Sequence, residues 1–152
     1  VFVFIGAGAG KGEVESRIKA GAANLRSLPF QAPGMLQASL GAADLHVVSM
    51  GDKVVGIVHP CKIYGAMAVG RPILFFGPTR SHGGEILANH QVGWCVAHGD
   101  TEDAVSAIVE AAGKTSAELA ALNHRAADVI AKEFDPQGLR NRVCDNIVAA
   151  CE

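Results

Sequence analysis

The sequence has no excess of positive charge, few aromatic residues and no apolar run near the ~20 residues needed to cross a bilayer. Its formal net charge is −2 at pH 7, so electrostatics gives no reason to expect binding to nucleic acid or to an anionic membrane. Aromatic residues make up 5% of the 152 residues, whereas 49% are hydrophobic. A chain of this size and composition can bury the core of one ordinary domain.

Paired cysteine motifs and a leader-like opening are also missing. The four cysteines stand at positions 61, 95, 144 and 151, and no two of them have the CxxC spacing that is typical of structural zinc sites. We interpret them as reduced and expect a cytoplasmic protein, with the inner face of the membrane as the alternative location. The chain opens on Val1–Ile5 with neither a methionine nor a basic segment before it. We therefore expect its true N-terminus to lie upstream.

Strand and helix patterns alternate along the chain at short intervals. Short apolar runs predict five strands, and apolar residues at helical spacing predict the helices. We expect an α/β fold, a Rossmann-like doubly wound parallel sheet with helices on both faces, in which the apolar first strand is buried on both faces. The predicted strands are Val1–Ile5, Asn24–Leu28, Asp44–Met50, Pro72–Phe76 and Gly93–Ala97. The predicted helices are Gly12–Ala22, Ala32–Ala43, Pro60–Gly70, Glu85–His90, Thr101–Ala112 with Thr101 as N-cap, Ser116–Glu133 and Gln137–Ala150.

The segment Pro60–Pro72 carries the most chemical information. Proline suits the first position of a helix, which would leave the backbone N–H groups of Cys61, Lys62 and Ile63 unpaired at the helix start. Lys62 adds a positive charge at the same place. A helix start with free N–H groups and a lysine favours an anion, most often a phosphate. An ordinary helix start with a solvated lysine is the alternative reading.

A glycine loop follows the first predicted strand, but it fits neither familiar nucleotide-binding motif. Ile5 and Gly12 occupy the positions where a P-loop requires glycine and Ser or Thr, and Lys11 stands where a dinucleotide-binding motif requires its third glycine. The second strand also lacks the acidic residue that would meet a ribose. What remains is a turn at Gly6 and Gly8 that either lets the backbone approach a ligand or simply joins strand to helix.

Other candidate residues are ambiguous from sequence alone. His59 either contacts a ligand or caps the following helix. Glu85 follows the glycines of Ser81–Glu85, and it either contacts ligand hydroxyls or is a surface charge near a helix start. No cluster of histidine, cysteine and acidic residues has metal-ligand spacing, and no catalytic triad or acid/base pair of carboxylates is legible. We therefore expect no metal site and no cofactor.

Taken in order, five segments resemble the C-terminal, donor-binding domain of GT-B glycosyltransferases of the group 1, GT4-like type that act in bacterial surface-polysaccharide synthesis. The segment Pro60–Pro72 is similar to the family's Pro-Ser-Lys block, in which Cys61 replaces the usual serine. The family's paired glutamates are absent, because Ile57 and Gly65 occupy their positions. The other matching segments are Val3–Gly8, Asn24–Phe30, Leu36–Asp44 and Gly84–Asp100.

The resemblance implies residue roles in retaining glycosyl transfer from a UDP- or GDP-linked sugar. Lys62, with the backbone at Cys61 and Ile63, would neutralise the diphosphate, and His59 would lie nearby. Lys62 and Glu85 would be the catalytic residues, and Glu85 would face the ribose or the donor sugar. Gly6 and Gly8 would approach the donor, and the backbone of Phe30 and Gln31 would meet the base.

The resemblance also implies that residues 1–152 form a single nucleotide-sugar-binding domain, truncated at its N-terminus, of a two-domain enzyme. Its partners would be the nucleotide-sugar and the missing N-terminal acceptor domain, without nucleic acid. A membrane surface would be reached only through that missing half. We expect no sugar transfer by this chain alone. The alternatives are half of a nucleotide-sugar 2-epimerase, which shares the architecture, and a non-catalytic nucleotide-binding module.

Overall fold

Five strands and seven α-helices make up the computed structural model, which describes residues 1–151. Every strand pair is parallel, which confirms the predicted α/β, Rossmann-like class. The strands form two sheets, one ordered β1-β2 and the other β3-β4-β5. The chain divides by its contacts into two units, Val1–Ser39 and Leu40–Glu152, and each is described by itself.

The first unit contains β1 (Phe2–Ile5), α1 (Lys11–Lys19) and β2 (Leu25–Leu28). Its strands pair in register from Phe2 with Leu25 to Ile5 with Leu28. The prediction that the first strand is buried on both faces is wrong, since its side chains are between 41% and 51% exposed. The physical reason is that β1 pairs only with β2 among the described residues, and α1 packs along β2.

The second unit contains the three-stranded sheet, built from β3 (His46–Ser49), β4 (Ile73–Phe76) and β5 (Gly93–Val96). The central strand β4 is buried on both faces, as its run of apolar residues predicts. The helices are α2 (Leu36–Gly41, which crosses the boundary of the units), α3 (Lys62–Ala68), α4 (His82–His90), α5 (Thr101–Gly113), α6 (Ser116–Glu133) and α7 (Pro136–Ala150).

Alternation along β4 builds two apolar clusters, one on each face of the sheet. Ile73 and Phe75 join the larger cluster with residues of α3, α4 and α6, whereas Leu74 packs with Val96 and with Ala107 of α5. Helices therefore cover both faces of this sheet, as predicted. Phe75 is completely buried, and removing such a side chain from water contributes about 1.5–3 kcal/mol.

Helix ends differ from prediction where a neighbouring residue makes the better cap. Asp100, not Thr101, is the N-cap of α5, because its carboxylate accepts a hydrogen bond of 3.0 Å from the N–H of Asp103. The predicted helix Ala32–Ala43 begins as a 3-10 turn, Pro33–Met35, before α2. The boundaries Ser116–Glu133 are confirmed, because Thr115 and Glu118 form a reciprocal capping box at the start of α6. No helix among the described residues is long and apolar enough to span a membrane.

Candidate functional site

Two helix starts lie at the carboxyl edge of the three-stranded sheet. The segment that follows β3 leads through a 3-10 turn, Asp52–Val54, to α3, and the loop that follows β4 leads directly to α4. In open parallel sheets, ligands bind beyond the carboxyl ends of the strands. The residues at the starts of α3 and α4 are therefore the candidate ligand-binding residues of the second unit.

The start of α3 has fewer unpaired backbone N–H groups than the sequence predicts. The helix begins at Lys62 rather than at Pro60. Two of the three N–H groups that were expected to be free are paired: that of Cys61 donates to the His59 carbonyl at 2.9 Å, and that of Ile63 donates to the Pro60 carbonyl at 3.0 Å. Both hydrogen bonds close tight turns where the chain enters the helix. The Ile63 side chain is fully buried in the core, so this residue has a structural role.

Lys62 is the residue at this helix start that keeps its polar group accessible. Its side chain is exposed and makes no hydrogen bond or ion pair with any residue that the structure describes. Cys61 is exposed as well, and its thiol donates to the His59 carbonyl at 3.5 Å. All four cysteines carry free thiols.

The glycines of Ser81–Glu85 are required by packing. α4 begins at His82, three residues earlier than predicted, because the buried Ser81 hydroxyl accepts from the Gly84 N–H at 3.2 Å. A Cβ at Gly84 would lie 2.3 Å from the Thr79 carbonyl oxygen, and one at Gly83 would lie 2.9 Å from the Phe75 ring. Only glycine lets this helix start approach the loop and the core so closely.

A cluster of aromatic side chains joins the two helix starts, and we call His59, Tyr64 and His82 the imidazole–phenol cluster. The Tyr64 hydroxyl lies 2.5 Å from Nε2 of His59 and 3.1 Å from Nε2 of His82. The two imidazole centroids are 4.7 Å apart, and the Tyr64 ring packs 5.0 Å from that of Phe134 at the end of α6. This cluster is a finding of the structure, because 18 residues separate Tyr64 from His82 and no local pattern joins them.

Burial and neighbouring charge shift the pKa values of two members of the cluster, His59 and Tyr64. Partial burial lowers the pKa of His59, and the neighbouring charge of His82 lowers it further. Burial also raises the pKa of Tyr64, with a smaller contribution from Cys61. Tyr64 therefore keeps its proton at neutral pH, and the cluster resists carrying two imidazolium charges.

Glu85 adjoins this cluster. Its carboxylate lies 3.9 Å from Nδ1 of His82, and both side chains are exposed. The structure thus brings together three of the predicted residues, His59, Cys61 and Glu85, around Tyr64 and His82, which the sequence analysis did not select. Lys62 is next to Cys61 on the same helix.

The first unit holds the other predicted residues. Gly6 has a φ of +119°, which favours glycine, and a Cβ there would lie 3.0 Å from the Phe30 ring. The Lys11 ammonium donates to the Gly6 carbonyl at 2.9 Å. Phe30 is 74% exposed, and the side-chain amide of Gln31 donates a hydrogen bond of 2.9 Å to the Pro29 carbonyl. A cleft of about 360 Å³ opens beside this turn, lined by Phe4, Ile5, Gly6, Ala7, Gly8, Gly10, Lys11, Val14 and Ser27.

No group of three or more histidine, cysteine or acidic side chains among residues 1–151 is arranged to hold a metal ion. Several of the remaining histidines have structural partners. His46 bonds the Leu40 carbonyl, His98 bonds the Met50 carbonyl, and His90 lies 3.4 Å from the Glu133 carboxylate. These contacts hold segments of the second unit together.

Comparison with known proteins identifies a related fold. No family model and no curated protein matches the sequence. Among solved structures, the crystal structure of WaaG, a glycosyltransferase involved in lipopolysaccharide biosynthesis, matches with a TM-score of 0.64 over 86% of this chain, at 16% sequence identity. The match covers 34% of the WaaG chain, so this chain spans about a third of WaaG's length. At this level of identity the likeness shows a shared fold alone.

Proposed function

We propose that this chain is the donor-binding part of a retaining glycosyltransferase and binds a nucleotide-sugar through its diphosphate. The fold shared with WaaG over 86% of the chain is the observation that carries the proposal. The order of five family-like segments in the sequence is a second line of support. Polysaccharide or glycoconjugate synthesis is the process we propose for the whole enzyme.

Lys62 is the proposed diphosphate-binding residue. Its ammonium is exposed at the carboxyl edge of a parallel sheet, and it has no partner within the described chain that an incoming anion would need to displace. In glycosyl transfer, negative charge grows on the departing diphosphate, so a fixed cation there stabilises the transition state. Because the N–H groups of Cys61 and Ile63 are already bonded, this role falls on the side chain more than on the helix start.

Glu85 is the proposed contact to the ribose or the donor sugar. It lies on the first turn of α4 at the same edge of the sheet, and its exposed carboxylate can accept hydrogen bonds from sugar hydroxyls. In the first unit, we propose that Gly6 and Gly8 let the backbone approach the donor, and that Phe30 and Gln31 contact the base. The exposed Phe30 ring offers an apolar surface for stacking.

Calorimetric titration of the chain with UDP, GDP and their sugar conjugates tests the proposal. We expect one of the two nucleotides to bind, and we expect Lys62→Ala to weaken binding by about tenfold or more, since a charge-assisted hydrogen bond contributes roughly 1.5–3 kcal/mol. Lys132→Ala is the matched control, because Lys132 is an exposed lysine that pairs with Asp128 on α6. That control is expected to bind like the parent chain.

The outcomes separate the alternatives. Absence of binding by both nucleotides at millimolar concentration would refute the proposal. Binding that is equally strong in Lys62→Ala and the parent would remove Lys62 from the site. We expect no sugar transfer by the chain alone, and measurable transfer would show that the acceptor site lies within these residues.

A further inference from the structure

Two imidazoles share one hydroxyl at the carboxyl edge of the three-stranded sheet, and the proposed function assigns no chemistry to that arrangement. The Tyr64 hydroxyl has one hydrogen and donates it to one Nε2, while the other imidazole donates its own N–H to the phenol oxygen. With this arrangement both hydrogen bonds of the cluster are made, and at least one imidazole is unprotonated at Nε2.

One added proton would change what the cluster can bind. When the imidazole that accepts from Tyr64 gains a proton at Nε2, both Nε2–H groups donate to the phenol oxygen, and the Tyr64 hydrogen has no acceptor within the cluster. It is then free to donate outward. The added positive charge lies on a ring whose centroid is 4.7 Å from that of the other imidazole, and a negative ligand stabilises this state. An anion supplies both the opposite charge and the missing acceptor.

We propose that His59, Tyr64 and His82 form a proton-linked diphosphate subsite, in which anion binding is accompanied by uptake of a proton onto the imidazole pair. This inference deepens the proposed function and rests on it for the identity of the natural ligand. The ligand class is a diphosphate or another compact polyanion.

The surroundings of the cluster determine which imidazole takes the proton. From α4, the Glu85 carboxylate lies 3.9 Å from His82 Nδ1 and is the acidic group beside that imidazole. From α3, the titratable neighbours are Cys61 and the exposed Lys62, and α6 contributes the uncharged Phe134. Glu133, the next residue on α6, already pairs with His90. His59, whose pKa is lowered by burial and by His82, is therefore the group that gains the proton when the anion binds.

The consequence is a binding affinity that rises as the pH falls. When binding takes up one proton, the affinity increases by up to about tenfold for each unit that the pH falls. This holds over the pH range in which His59 is protonated in the bound chain but not in the free chain. A site built from lysine alone has no such dependence near neutral pH, because lysine stays charged there.

The test uses inorganic pyrophosphate and the complete chain. Calorimetric titration at pH 7 in buffers of different ionisation enthalpy measures the protons taken up per anion bound. We expect about one proton more in the parent chain than in His59→Asn, because asparagine does not titrate. Comparing parent with variants removes the pyrophosphate's own ionisation. His124→Asn is the matched control, since His124 is an exposed histidine on α6 beside Asp128.

Proton uptake that is as large in His59→Asn as in the parent chain and the His124→Asn control would overturn the inference. Circular dichroism establishes that the variants are folded. NMR titration of the parent's imidazoles is a second measurement, in which pyrophosphate must raise the pKa of His59. If pyrophosphate binds with proton uptake but UDP and GDP do not bind, the inference stands and the proposed function fails. If UDP or GDP binds without proton uptake, the proposed function stands and the inference fails.

Discussion

The two units of the chain use similar apolar strands with different results. In Leu40–Glu152, β4 is enclosed by a neighbouring strand on each side and by helices on both faces, so Ile73, Leu74 and Phe75 are completely buried. In Val1–Ser39, β1 has an equally apolar sequence, yet every side chain from Phe2 to Ile5 stays at least 41% exposed. Sequence hydrophobicity alone therefore does not determine burial, which depends on how many strands and helices surround the strand.

The difference also separates two kinds of candidate site. At the carboxyl edge of the three-stranded sheet, the functional side chains project from helix starts that are anchored in a core, with Ile63 and Ser81 buried beside them. In the first unit, the glycine turn is held by local contacts, namely the Lys11 ammonium on the Gly6 carbonyl and the Phe30 ring beside Gly6. A site supported by a packed core is the better preorganised of the two.

The largest expected effect comes from truncating a phenylalanine in each unit. Phe75→Ala should lower the free energy of unfolding by about 3–5 kcal/mol, because it empties a fully enclosed position. Phe4→Ala should cost no more than about half as much, since Phe4 is 47% exposed and its ring has less burial to lose. Urea denaturation followed by circular dichroism measures both. Equal losses would show that β1 is as deeply buried as β4.

A second comparison uses one substitution at two glycines of the second unit. Gly93→Ala would place a Cβ 1.9 Å from the Ile73 carbonyl oxygen, so β4 and β5 must separate. We expect a loss of about 1–3 kcal/mol or more, as in other overpacked sites. Gly113→Ala, where a Cβ meets nothing within 4 Å, is the control. The fluorescence of Trp94, the only tryptophan, reports on β5 directly. Similar unfolding midpoints in the two variants would contradict the close approach of the strands.

The smallest expected effect is a pH dependence. Because the pKa of His59 is lower in the folded chain than in the unfolded chain, the unfolded chain binds more protons in acid. The contribution of His59 to stability is therefore unaffected well above pH ~6.5 and becomes unfavourable as the pH falls through that value toward the folded pKa. His59→Asn should flatten this part of the curve of unfolding free energy against pH relative to the parent chain. A parallel decline in the two chains would contradict the assignment.

Local patterns were sufficient to predict most of the elements. The strands and helices follow from apolar periodicity, and the predicted bounds of α6 coincide with the observed ones, where Thr115 and Glu118 cap the start of the helix. The predicted helix starts were wrong by one to three residues where an earlier residue is the N-cap, namely Asp100 for α5 and Ser81 for α4. The exposure of β1 was missed because it depends on how many strands surround β1, which its own sequence does not encode.

The site was predicted less completely than the fold. Lys62 and Glu85 were selected from their positions at helix starts, and both are exposed at the expected edge of the sheet, while their binding roles stay predictions. The pairing of the Cys61 and Ile63 N–H groups was missed, because it depends on how the chain turns before α3. Tyr64 and His82 were missed because their contact is tertiary. One sequence signal could have indicated the cluster: a histidine stands near the start of each helix, His59 before α3 and His82 in α4. The topology of a parallel sheet places both helix starts at its carboxyl edge.

NMR titration of the isotopically labelled chain with UDP and GDP tests the central claim most directly, because it reports both binding and its location. The account predicts that one nucleotide, at millimolar concentration or below, shifts the Lys62 amide and the imidazole resonances of His59 and His82. Unchanged spectra with both nucleotides, or shifts confined to residues away from the starts of α3 and α4, would contradict it.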